Sequence, residues 1–294
     1  MLSFITNISL LAVLMRIVHT SCGGNAPVLF KSIGHDTPPP VPSPRHRYTL
    51  RRLLVGQRLS VAFQPIWDLH SGGILAFEAL TRPAADYGLT GPLEAFDIAE
   101  QLGRAHDLDA VCRQAVLSRA GDLPANALLF LNISPHTLGH DDFRASALLD
   151  AVRTAGLTPE RVALEITEQC PARPEAVIRV AGELRRMGFL LALDDVGAGN
   201  AGLEMLRRLP VDFVKIDRAV IAHALRDDAA RAVFMAIVAV AEKARRHIIA
   251  EGIESTALFD LAQQAGVRGV QGYLLGRPSE LGAAVPAVPQ ALTA

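Results

Sequence analysis

"LALDDVGAG", residues 191–199, is the stretch on which the fold turns. An apolar run closes on two adjacent carboxylates, Asp194 and Asp195, and a glycine-rich turn follows. Neighbours along a strand point to opposite faces, so consecutive acids normally diverge. Two that converged would repel each other unless positive charge lay between them. At a strand end the backbone leaves the sheet and alternation lapses. The stretch reads as a strand whose end carries a cation site.

Outward from it the text is regular from about Val61. Short β-branched or Leu-rich runs alternate with longer Ala/Leu/Arg-rich amphipathic stretches. Strands are expected at Val61–Ile66, Ile74–Thr81, Leu128–Ile133, Val162–Thr167, Leu190–Asp194, Phe213–Ile216, Ile248–Glu251 and Gly269–Leu274. Helices are expected at Pro92–Gln101, Leu108–Arg119, Arg144–Ala155, Pro174–Met187, Leu203–Arg208, Asp228–Ala244 and Ser255–Gly266. Ser71, Gly72 and Gly73 mark a turn between the first two strands. Two strands followed by repeated strand–helix units predict an α/β fold, a TIM-like (β/α)8 barrel opened by a hairpin-like strand pair.

The strand ends carry the chemistry. Strand two holds Glu78, strand three ends at Asn132, and strand four offers Glu165 and Glu168. Strand five ends at Asp194 and Asp195. Strand six puts Lys215 and Asp217 on one face by period two. Strand seven leads into Glu251 and Glu254, and strand eight into Gln271. One strand-terminal acid often only caps the next helix. A barrel, however, gathers all such ends on one rim, where these folds do chemistry. Oxygen donors without His or Cys point to hard ions, Mg²⁺ or Mn²⁺. Two ions bridged by one aspartate suit in-line displacement at phosphorus.

The remaining residues set bounds. The chain has 294 residues, 50% of them hydrophobic, and a net charge of -1, so no polyanion-binding surface is implied and no polymeric nucleic acid is expected as partner. Three cysteines, Cys22, Cys112 and Cys170, lack CxxC spacing, which fits a reducing compartment rather than a disulfide scaffold. Residues 1–50 read as an apolar segment and a Pro-rich basic linker, "DTPPPVPSPRH" at Asp36–His46, that does not pack as helix or sheet. Residues 51–284 read as the barrel and 285–294 as a C-terminal tail. Arg16 interrupts the apolar Met1–Met15 before it could span a bilayer. A cytoplasmic protein is expected; the alternative is an anchor through residues 1–22, with the barrel in the cytoplasm. His136 and His140 have helical ligand spacing, but solvated surface is the simpler reading. The apolar helix at 231–244 reads as barrel cladding with room for a partner surface.

Eight short motifs then stand in order at barrel spacing: "FQPI" (63–66), "EALTR" (78–82), "NIS" (132–134), "EITE" (165–168), "DDVGAG" (194–199), "KID" (215–217), "AEGIE" (250–254) and "QGY" (271–273). On these, residues 53–280 resemble the EAL-domain cyclic-di-GMP phosphodiesterases. The resemblance implies hydrolysis of cyclic-di-GMP to linear pGpG with two Mg²⁺ or Mn²⁺ ions, and a possible homodimer. It implies Glu78, Asn132, Glu165 and Asp194 at the first metal, and Asp194, Asp195 and Asp217 at the second. Lys215 would hold the attacking water or an ion-bound water, and Glu251 would orient or deprotonate the attacking water. Arg82 would grip a substrate phosphate, and Gln64 and Gln271 would touch substrate. Glu168 would anchor the loop after strand five, and Glu254 would support the site from behind. The family's Phe after the aspartates is Val196 here, and its Tyr-Ser-Ser is Asn200-Ala201-Gly202, so loop ordering and dimer-linked control are in doubt while metal ligation is not. The alternative function is a catalytically silent cyclic-di-GMP receptor or interaction module. Such members lose metal ligands, whereas these ligands are all present.

Overall fold

Eight strands, hydrogen-bonded in chain order, close into a barrel. They are β1 (Leu59–Asp68), β2 (Ile74–Pro83), β3 (Leu128–Asn132), β4 (Val162–Thr167), β5 (Leu190–Val196), β6 (Phe213–Ile216), β7 (His247–Ala250) and β8 (Gly269–Val270). β1 runs antiparallel to both β2 and β8, and all the other pairs are parallel. The computed structural model describes residues 43–56, 58–167, 173–197 and 202–281. Cys22, Cys170, Glu168, Asn200, Ala201, residues 1–42 of the expected N-terminal tail and all of the expected tail 285–294 lie outside them.

The barrel interior is built by period two. Ile66, Ala76, Phe130, Ala163, Ala192, Phe213 and Ile249, one from each of β1 to β7, form a fully buried apolar plug. β8 contributes Gly269, because Ile249 and Ile66 already occupy the space beside it. The opposite strand faces, such as Leu129, Leu164, Leu193 and Val214, join the larger core beneath the helices. At roughly 25 cal/mol per Å² of apolar surface removed from water, that core is the main stabilising term.

The helices that clad the barrel are α1 (Pro44–Gly56), α2 (Pro92–Gln101), α3 (Ala105–Leu117), α4 (Pro135–Leu138), α5 (Ala145–Thr154), α6 (Pro174–Arg186), α7 (Gly202–Arg208), α8 (Arg218–Ala224), α9 (Asp228–Lys243) and α10 (Thr256–Gln264). Three were not anticipated. α1 begins inside the segment read as tail, so Pro44, Arg45 and His46 are helix rather than linker. Pro is favoured at a helix start, and Leu50 and Leu53, three apart, are buried against Ile98 and Leu108. An arginine-dense composition hid that short apolar stripe. α4 is a single turn capped by Ser134 and α8 two turns capped by Asp217, both too short to show a helical period. β8 is shorter than expected, since Ile253 packs so closely on Gly272 that a Cβ there would collide with its backbone. Among the described residues no helix is long and apolar enough to cross a membrane.

Candidate active site

Two positions beyond the apolar plug on each strand, a ring of polar side chains replaces it. β1 is antiparallel and supplies Gln64, two residues before Ile66. The parallel strands supply Glu78, Asn132, Glu165, Asp194 and Lys215. β7 and β8 supply Glu251 and Gln271 one residue past their ends. The same alternation that buries one layer therefore aims the next at the rim.

Lys215 is the hub. Its ammonium is 1% exposed and lies 2.5 Å from Glu165 Oε1, 2.7 Å from Glu251 Oε1, and 3.2 Å from both Glu78 Oε2 and Asp194 Oδ1. Burial alone would lower its pKa; the carboxylates, Asp194 first, overcome this and hold it well above its usual value. Gln271 Nε2 donates to Glu78 Oε2 at 2.7 Å, and Gln64 Nε2 donates to the Gly276 carbonyl at 3.1 Å. Both amides are thus already engaged at the ring.

Asp194 and Asp195 converge, but not because the strand stops. β5 runs on to Val196 and its register with β6 slips between Leu193 and Val196. At the slip Asp195 has φ 57°, a left-handed conformation. It is uncommon for a residue with a side chain, and aspartate tolerates it better than most. That one dihedral undoes the alternation. Single oxygens of Asp194, Asp195 and Glu251 all lie within 4.8 Å of one another.

So many acids cannot all ionise unaided. Unit charges about 4 Å apart repel by roughly 4 kcal/mol at an effective dielectric near 20. Burial, then Asp194, pushes the Asp195 carboxyl up to about 6. Burial also pushes Glu251 up to about 8 against the pull of Lys215. Glu165, wholly buried and facing Glu78, is raised well above the usual range. Among the described residues Glu165 Oε2 and Gln271 Oε1 are buried without a hydrogen-bond partner. Oxygen-only donors, surplus negative charge and orphaned acceptors together fit a hard divalent cation.

The remaining predicted residues are less tightly gathered. Asp217 caps α8, its Oδ1 accepting from Ala219 N at 2.7 Å, while its charge helps to raise the Asp195 carboxyl. Glu254 pairs with Arg218 at 2.6 Å rather than with a ring residue. Asn132 and Arg82 are exposed and make no side-chain hydrogen bond or ion pair among the described residues; strand alternation puts Arg82 on the Glu78 face of β2. His136 sits 3.5 Å from Glu100, and His140 stacks on His106, so neither joins the ring. Sequence reasoning missed Gly276, whose role is a backbone carbonyl, and Arg218, one residue beyond "KID". The Asp195 dihedral had a faint signal in the glycines that follow.

The profile of one protein family, the EAL domain, matches residues 47–278. The bifunctional diguanylate cyclase/cyclic di-GMP phosphodiesterase MucR of Pseudomonas aeruginosa is 32% identical over 242 residues, covering 79% of this chain and 34% of that protein. The EAL enzyme Bd1971, solved with cAMP and cyclic-di-GMP bound, superposes with a TM-score of 0.73 at 27% identity over 81% of this chain and 67% of that one. BlrP1 of Klebsiella pneumoniae, 30% identical, was solved with cyclic-di-GMP and calcium or manganese; the TM-scores are 0.66 and 0.65, over 76% of this chain and 56% of that one. This chain spans 28% to 38% of the length of the first curated relatives it matches. By the profile match and these likenesses, the chain belongs to the EAL domain family.

Proposed function

We propose that this chain hydrolyses one phosphodiester of cyclic-di-GMP to give linear pGpG. The observation that carries the reading is the ring itself: acids and amides from successive strands meet around one buried ammonium, on a barrel whose relatives are named for this reaction. Asp194, Asp195 and Glu251 would hold a cation, with Glu78, Asn132 and Glu165 serving a second beside the shared Asp194, and Asp217 assisting. Mg²⁺ or Mn²⁺ bound there would supply positive charge to the phosphate oxygens and ease ionisation of water.

The chain's own groups do the rest. Glu251, just past β7 and 2.7 Å from the Lys215 ammonium, is placed to act as the general base. It takes the proton of the attacking water. A new P–O bond forms as the bond to the ribose 3′-oxygen breaks; that oxygen takes a proton from solvent, and Glu251 gives its own back to solvent. Lys215 holds Glu251 Oε1 in place and offsets the charge of the acids around it. Arg82, exposed at the rim, grips a phosphate oxygen, and Gln64 and Gln271 stiffen the wall on which substrate rests. Incubation with cyclic-di-GMP and Mn²⁺, followed by chromatography of the nucleotides, tests this. Linear product supports hydrolysis. Ligand that binds and is recovered unchanged supports the receptor alternative, and no binding defeats both.

A further inference from the structure

We infer that Arg218 is a positioning residue for Glu251. The inference rests on the functional reading above. Glu251 stands just past β7, where the sheet no longer holds the chain. Its N–H donates to the Ile216 carbonyl at 3.2 Å, and Ile253 N–H donates to the Gln271 carbonyl at 2.9 Å. Between these two ties Gly252 turns the backbone with φ 64°, a left-handed conformation. A Cβ at Gly252 would collide with Cβ, Cγ and Cδ of Arg218, so the arginine stem lies directly over this turn. The same side chain reaches on, and Nη1 meets Glu254 Oε1 at 2.6 Å. Arg218 thus straddles residues 252–254, its stem on one and its charge on another.

The anchor is itself fixed. Arg218 is the first residue of α8, directly after the cap Asp217, whose side chain ties down Ala219 N. β6 carries Lys215, the partner of Glu251. The clamp therefore references the β7 turn to the strand that holds the ammonium. An exposed ion pair alone contributes little to stability. Its worth here is geometric: small misplacement of a reacting group costs large factors in rate.

Arg218→Ala removes stem and charge; Arg218→Lys keeps an apolar stem and a cation. Mn²⁺ affinity is measured by calorimetry, and kcat and KM with cyclic-di-GMP, with melting curves to confirm folding. Loss of such an outer support costs about tenfold or more in metal affinity or activity. Arg218→Ala should weaken Mn²⁺ binding and lower kcat by about that factor with KM little changed, and Arg218→Lys should restore most of both. Unchanged Mn²⁺ affinity and kcat would overturn the inference. So would a raised KM with intact kcat, which marks a substrate contact instead. If the wild-type chain turns over nothing, the functional reading fails, and Mn²⁺ affinity alone still decides the role of Arg218.

Discussion

At the scale of single residues, the chemistry follows from one ammonium buried among carboxylates. Lys215→Ala would leave Glu78, Glu165, Asp194 and Glu251 facing one another without it. Breaking a buried pair by removing one partner costs about 3–5 kcal/mol. This variant should therefore melt at a markedly lower temperature and lose at least about a hundredfold in turnover, the scale of a positioned proton-transfer group. Glu251→Gln should lose the same turnover while folding normally, because an amide keeps the shape and relieves repulsion. Equal stability of Lys215→Ala and wild type would show that the acids do not need the ammonium. The raised carboxyls also fix a pH dependence. A carboxyl whose folded pKa exceeds its unfolded value favours the fold at low pH, and that contribution drains away as pH rises through the folded pKa. With Asp195 at about 6 and Glu251 at about 8, chelator-treated protein should lose melting temperature from about pH 4 to about pH 8. Mn²⁺ should flatten the decline, since a cation takes over from the protons. A melting temperature in EDTA that climbs over that interval would contradict the assignment.

At the scale of elements, what was legible had a period. Strands of β-branched residues and long amphipathic helices declare themselves by spacing, and the strand ends named the ring because each lies two positions past an apolar plug residue. What was illegible had no period to read. The left-handed Asp195 is a single dihedral, α4 and α8 are only one and two turns long, and α1 hides two leucines among arginines. Contacts between distant segments, such as Gln64 with the Gly276 carbonyl, leave no local trace either. Two element-scale predictions follow from burial. A chain starting at residue 43 keeps α1 and sets the reference urea midpoint. One starting at residue 58 loses Leu50 and Leu53, worth about 1.5–3 kcal/mol each, and should be plainly weaker. Unchanged stability on removing α1 would show that its burial is inconsequential. In β5, Val196 is fully buried in the core, so Val196→Phe, which restores the family's residue, should cost about 1–3 kcal/mol by overpacking. A urea midpoint unmoved by that change would mean the neighbouring core yields more readily than its packing indicates.

At the scale of the whole molecule, a closed barrel turns strand register into a reaction centre. The apolar plug excludes water from below, and the polar ring above it concentrates acids that no isolated strand could hold together. The account rests on that ring binding hard cations. Full turnover of cyclic-di-GMP in EDTA would sever function from the ring, whereas loss in EDTA and recovery with Mn²⁺ or Mg²⁺ would join them. The most direct measurement is anomalous diffraction at the manganese edge from crystals grown with Mn²⁺. The account predicts one peak bounded by Asp194, Asp195 and Glu251 and a second on the Glu78, Asn132 and Glu165 side, with Asp194 shared. A rim without manganese, or manganese held only elsewhere on the molecule, would contradict it.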